Sequence, residues 1–255
     1  MDEKIKNIVE KFLKSWKELD KVSAVIICGS YVTGNPTKHS DIDVQIILKN
    51  GTKWRERGNK IIDGILLEYF ANPKSEILRS MEKEFLERDR ATAHMFFTGE
   101  IIMDKFSEAK ELKKLSKKYL SKNYKSTNKV KIGSEKYSLW DMQDNLEEVY
   151  EKQLGDFRFV YYNYMSNIFS NYCEYIGFPE VPNNKILRFL TDKNDRKKYI
   201  IPEFPDKKFI KIFSKMIKLK EEEKMVNEYK KITKHVIGKM GGFSINDFKQ
   251  RLKIK

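Results

Sequence analysis

The sequence predicts an α+β protein in which a mixed sheet with flanking helices precedes a helical bundle. Three observations carry this. Short apolar runs bounded by Gly, Pro, Asn and Asp, the pattern of strands, fall between residues 23 and 103 and vanish beyond about residue 130. Apolar residues at three- and four-residue steps open the chain and then dominate its second half. The charge is equally uneven: of a net +14, residues 1–110 carry +1 and residues 111–255 carry +13. The polar, lysine-rich stretch 121–128 lacks apolar periodicity, which sets the expected domains at 1–125 and 126–255.

The first helix is expected over residues 2–19, where Ile5, Ile8, Val9, Phe12, Leu13, Trp16 and Leu19 form one stripe. A strand over 23–28 follows, then a short helix at 31–34 and a loop, Asn35 to His39. The next strand carries Asp41 and Asp43, and Lys49-Asn50-Gly51 turns the chain. Residues 54–60 fit no element. Asp63-Gly64 between Ile61-Ile62 and the run Ile65 to Phe70 is a two-residue hairpin signal. A helix from Ser75 is expected to turn Ile77, Leu78, Met81, Phe85 and Leu86 inward, and 91–103 reads as a further strand or hairpin with His94 as a core residue. After a helix at 107–120, the second half reads as helices at 138–154, 156–176, 183–191, 206–217 and 219–238, with a short terminal helix over 243–252.

At 255 residues, 40% hydrophobic and 13% aromatic, the chain can bury a sizeable core. No apolar run approaches the 18 or so residues that cross a bilayer, and the N-terminus lacks a signal-peptide core, so a soluble cytoplasmic protein without a membrane partner is expected. Cys28 and Cys173 read as small packing residues, neither a zinc pair nor a disulfide.

The chemistry concentrates in residues 24–48. Residues two apart on a strand share a face, so Asp41 and Asp43 project together while Ile42, Val44 and Ile46 enter the core. Such a pair suits hard cations, and two magnesium ions bridged by carboxylates can clamp both oxygens of an in-line phosphoryl displacement. Upstream, Gly29 lets a phosphate approach the backbone, and Ser30 could cap the short helix whose amides face the same ligand. Lys38 and His39 lie where either could touch phosphate or base, although loop residues of both kinds are ordinarily just solvated.

The order Gly29-Ser30, a loop, then Ser40-Asp41-Ile42-Asp43-Val44 resembles the signature of the DNA polymerase β nucleotidyltransferase superfamily. Within it, the chain is most similar to the bacterial branch that includes aminoglycoside and lincosamide nucleotidyltransferases. The resemblance covers residues 20–72. It implies an N-terminal nucleotidyltransferase domain and a C-terminal acceptor-binding domain. It also implies a third carboxylate, for which Glu68 stands in a matching context; a salt bridge is that residue's structural alternative. Asp41, Asp43 and Glu68 would then be both catalytic and metal-binding, with Gly29, Ser30, Ser40 and Lys38 at the nucleotide. The expected reaction transfers a nucleoside monophosphate from a nucleoside triphosphate, ATP first, to a hydroxyl of a small molecule such as an antibiotic, releasing pyrophosphate. Modification of a protein or RNA is the alternative that the basic second half suggests, and a nucleotide-binding partner without activity is the non-enzyme alternative. An acidic group, Asp141, Asp144, Glu147, Glu148 and Glu151, interrupts the basic half. By analogy with the antibiotic-modifying relatives, Glu148 or Glu151 would activate the acceptor; for Asp141 and Asp144 an acidic first helical turn that complements the helix dipole is the favoured reading.

Overall fold

The computed structural model describes residues 2–16, 18–124 and 127–251. Along the chain run α1 (Glu3–Ser15), β1 (Val22–Cys28), α2 (Ser30–Thr33), β2 (Ile42–Leu48), β3 (Glu56–Ile62), β4 (Ile65–Pro73), α3 (Lys74–Leu86), α4 (Ala91–Thr98), β5 (Glu100–Asp104) and α5 (Glu108–Ser121). Helices alone follow: α6 (Lys129–Glu151), α7 (Phe157–Ile176), α8 (Ile186–Thr191), α9 (Lys193–Tyr199), α10 (Lys207–Met216) and α11 (Glu222–Lys239). The chain forms two compact units, residues 1–122 with 197–201, and residues 123–196 with 202–255.

In the first unit the strands pair in the order β3-β4-β2-β1-β5, with β2 and β4 parallel and every other pair antiparallel. Two apolar layers cover the sheet. Ile5, Ile8, Val9 and Phe12 of α1 pack on Val25, Ile27, Ile42, Val44 and Ile46. Ile77, Met81, Phe96 and Leu112 from α3, α4 and α5 pack on Ala24, Ile26, Cys28 and Ile47. Along β2, Ile42, Val44, Ile46 and Leu48 enter the first layer and Ile47 the second, while Asp43 at the strand's start belongs to neither. The hairpin between β3 and β4 turns on Asp63 (φ 51°) and Gly64 (φ 77°), the two left-handed residues that its loop length requires.

Several elements depart from expectation. Residues 91–98 form α4, not a strand: an apolar run this short has no period that separates the two, and local capping decides. Asp89 Oδ1 accepts from the amides of Arg90 (2.6 Å) and Ala91 (3.1 Å), and Glu84 Oε2 from Thr92 (2.7 Å). Only 100–104 of that stretch is strand. Residues 56–62, unassigned from sequence, form the edge strand β3. The first helix stops at Ser15 and Leu19 is 37% exposed, while Leu86, expected inward, is 77% exposed.

The second unit is helical and aromatic inside. Phe169, Tyr172, Phe204, Phe209 and Phe213 lie with neighbouring ring centroids 4.9–6.3 Å apart. Helix α6 begins nine residues before the expected start, capped by Asn128 Oδ1 on the Lys131 amide (2.8 Å). Asp141 and Asp144 are thus mid-helix, which removes the first-turn explanation for them. Residues 243–251 form no helix; Gly241 and Gly242 take left-handed φ, and Phe248 stacks on Tyr137 at 4.8 Å. Leu252 lies outside the described residues.

Candidate active site

The three carboxylates named from the sequence converge. Asp43 opposes Glu68 across the parallel β2–β4 pair and Cys28 across the β1–β2 pair, so the end of β1, the start of β2 and the middle of β4 lie level. Asp41 precedes Asp43 by one pleat repeat, on the same face. Asp41, Asp43 and Glu68 each offer an oxygen within 4.8 Å of the others, all half-buried. Three carboxylates this close repel one another unless a cation sits among them. The donors are all oxygen, which suits a hard divalent ion over a thiolate-loving one.

Gly29 completes the corner. Its φ of +79° favours glycine, and a Cβ there would meet Asp43 Oδ2 at 2.1 Å. The carboxylate lies against the bend with no room for a side chain, so a glycine there is what lets Asp43 take this place. Gly29 itself, not Ser30, occupies the capping position of α2, and Ser30 is the helix's first residue. The expected side-chain cap is therefore absent, because a capping residue must lie outside the helix it caps. Ser40 closes the loop between the corner and β2: its Oγ accepts from the Thr37 amide (2.8 Å), while Thr37 Oγ1 accepts from the His39 amide (3.2 Å). Lys38 and His39 are exposed at the tip of that loop.

Glu68 has a protein partner the sequence did not signal. Arg57 on β3 donates to its Oε1 from Nε (3.0 Å) and from a terminal guanidinium nitrogen (2.6 Å), with the guanidinium 4.9 Å over the Phe70 ring. The salt bridge that was the structural alternative for Glu68 is thus present, and it coexists with membership of the acidic cluster. Once residues 56–62 are read as a strand antiparallel to β4, Arg57 falls one pleat repeat from the partner of Glu68. Lys198 is a second residue that reading the sequence missed. Its ammonium donates to the carbonyl of Thr33, at the end of α2, and no local pattern could announce a contact spanning 165 positions.

Cys28 is buried beside the acids. Burial and then the Asp43 charge push its thiol well above the usual range. Cys173 is likewise buried and unbridged. Glu148 and Glu151 stand on α6 in the second unit; Glu148 pairs with Lys152 one turn on, and Glu147 with Lys230 at 2.5 Å. Among the described residues no helix is long and apolar enough to cross a membrane.

A family model described as a nucleotidyltransferase domain matches residues 9–153. Over 72 residues the chain is 38% identical to a curated relative from Methanocaldococcus jannaschii named as a protein adenylyltransferase. That stretch is 27% of this chain and 49% of the relative, so the chain spans about half the length of the curated relative it matches. The crystal structure of a nucleotidyltransferase-like protein from Exiguobacterium sibiricum is similar at a TM-score of 0.46 and 9% identity, over 92% of this chain and 75% of that one.

Proposed function

The chain belongs to the nucleotidyltransferase domain family, and on that footing we propose that it transfers the adenylyl group of ATP to a hydroxyl, with magnesium, and releases pyrophosphate. One observation carries the reading: three carboxylate oxygens within 4.8 Å of one another, against a glycine bend that a Cβ would obstruct.

Asp41, Asp43 and Glu68 would hold a pair of magnesium ions, which when bound supply charge neutralisation at the phosphates and a more acidic acceptor hydroxyl. The chain's own part is positioning. Gly29 admits the triphosphate to the backbone, Ser30 offers its amide and hydroxyl there, and Ser40 fixes the loop that carries Lys38 towards phosphate. Arg57 fixes one oxygen of Glu68 and so limits how that carboxylate can turn. The acceptor oxygen forms a bond to the α-phosphorus as the bond to the bridging oxygen breaks, and pyrophosphate leaves with that electron pair. The hydroxyl proton passes to a base, for which Glu148 and Glu151 are the candidates.

For the acceptor we favour a protein hydroxyl, because the Methanocaldococcus jannaschii relative is named for adenylylating protein. A small hydroxylated compound is the second reading. It is supported by the motif at residues 40–44 and by the acidic group Asp141 to Glu151, which suits a cationic compound. Labelled ATP incubated with the protein and a cell lysate, with and without an aminoglycoside panel, separates the two by the size of the labelled product. Label on a band of protein size supports the first. Label only on the drug sinks it in favour of the second.

A further inference from the structure

We propose that the groove between α10 and α11 is a binding site for the phosphate backbone of a nucleic acid duplex, used without sequence preference. The groove has a volume of about 990 Å³, and Lys208, Lys211 and Lys215 line it from α10 while Lys231, Lys234 and Lys239 line it from α11. On each helix the spacing sets the lysines along one face, and on α10 the opposite face, Phe209, Phe213 and Met216, is buried. The two basic stripes therefore confront each other over Ile212 and His235.

Glu228 alone brings negative charge to this lining. It is buried, and its Oε1 is clasped by Lys215 (2.7 Å) and Lys231 (2.8 Å), whose hydrogen bonds hold its carboxyl below the ordinary range. That neutralises part of the charge at one end and fixes two lysines there. Among the described residues Lys208, Lys211, Lys234 and Lys239 have no carboxylate within ion-pair distance. Packing does not ask for four such ammonium groups in one trough, since each could extend into solvent anywhere on the surface at lower mutual repulsion. A chain of phosphates supplies the missing charge at regular spacing. The kind of ligand follows from the side chains. Lysine is a point charge without the planar fork that reads base edges, and the lining holds no aromatic ring other than an imidazole on which an unpaired base could stack. Backbone contact to a duplex is what remains.

The test is fluorescence anisotropy of the full-length protein with two labelled 24-base-pair duplexes of unrelated sequence, without nucleotide, between 50 and 200 mM NaCl. With four free lysines the plot of log affinity against log salt should have a slope of about −3.5, the same for both duplexes. The double variant Lys211→Glu, Lys234→Glu should bind at least 10-fold more weakly at 100 mM NaCl and flatten the slope by about 2. Lys114→Glu, Lys118→Glu, an equal change of charge on the exposed face of α5, should stay within 2-fold, and melting curves should match the wild type for both. Equal weakening by both variants would overturn the site, as would absence of binding at 50 mM NaCl or tighter binding to anionic phospholipid vesicles than to either duplex.

Discussion

Two glycines in the first unit share a left-handed backbone and differ in what faces them. Gly64, at φ +77°, has nothing within 4 Å of where a Cβ would stand, whereas at Gly29 the Asp43 carboxylate fills that space. Gly64→Ala should therefore cost only the backbone penalty, about 1–2 kcal/mol in urea unfolding, and leave adenylyl transfer intact. Gly29→Ala should add displacement of Asp43 and lose at least 10-fold in transfer, whatever its stability. Arg57 gives a third expectation. Its bridge to Glu68 is mostly exposed on the arginine side, so Arg57→Ala should shift the unfolding free energy by less than about 1 kcal/mol while slowing transfer through a less constrained Glu68. Asp41, Asp43 and Gly29 were legible in the sequence because strand period and turn chemistry are local. Arg57 was not, since nothing inside residues 54–60 says which strand they flank.

Elements were legible where their pattern exceeded two turns or where a turn had a unique chemistry. The α1 stripe, the Asp63-Gly64 hairpin and the Gly177 stop of α7, left-handed at φ 70°, all lie where periodicity or turn residues put them. The eight residues of α4 were misread because capping by Asp89 and Glu84, outside the run, decides their conformation. Asp206 shows how one such residue can bind an element to its neighbours. It caps α10 through Oδ1 on the Phe209 amide (2.9 Å), and its Oδ2 meets Tyr172 of α7 and His235 of α11, each at 2.6 Å. Burial pushes this carboxyl up, but the Tyr172 hydroxyl, the Phe209 amide and His235 together outweigh it and bring it down to about 2. A carboxyl lower when folded than unfolded stabilises above its unfolded value, near 4, and that contribution is lost as pH falls through 2. The displacement corresponds to about 2 kcal/mol. Urea midpoints at pH 7 and pH 2.5 should accordingly converge in Asp206→Ala relative to the wild type.

For the molecule as a whole, the separation of roles follows from where the strands lie. The α/β unit holds the acidic corner, and the helical unit contains the lysine-lined groove. The segment 197–201 is the exception: it lies in the second half of the sequence yet groups with the first unit, with Ile200 against the α3–α5 layer. No stretch of sequence carries that return, because it is a contact between distant segments and not a pattern within one. If the acidic corner holds magnesium and ATP, their binding must stabilise the folded chain; at 100 times the dissociation constant the gain is about 2.7 kcal/mol, visible as a raised melting temperature that magnesium or ATP alone does not match. The decisive comparison is transfer of label from α-labelled ATP, with magnesium, by the wild type and by Asp43→Asn, paired with melting curves of both. The wild type should label an acceptor and release one pyrophosphate per label, and Asp43→Asn should be slower by at least about 100-fold, some 2.7 kcal/mol in barrier, with its fold intact. Equal rates in the two proteins would contradict the assignment of the corner as the catalytic centre.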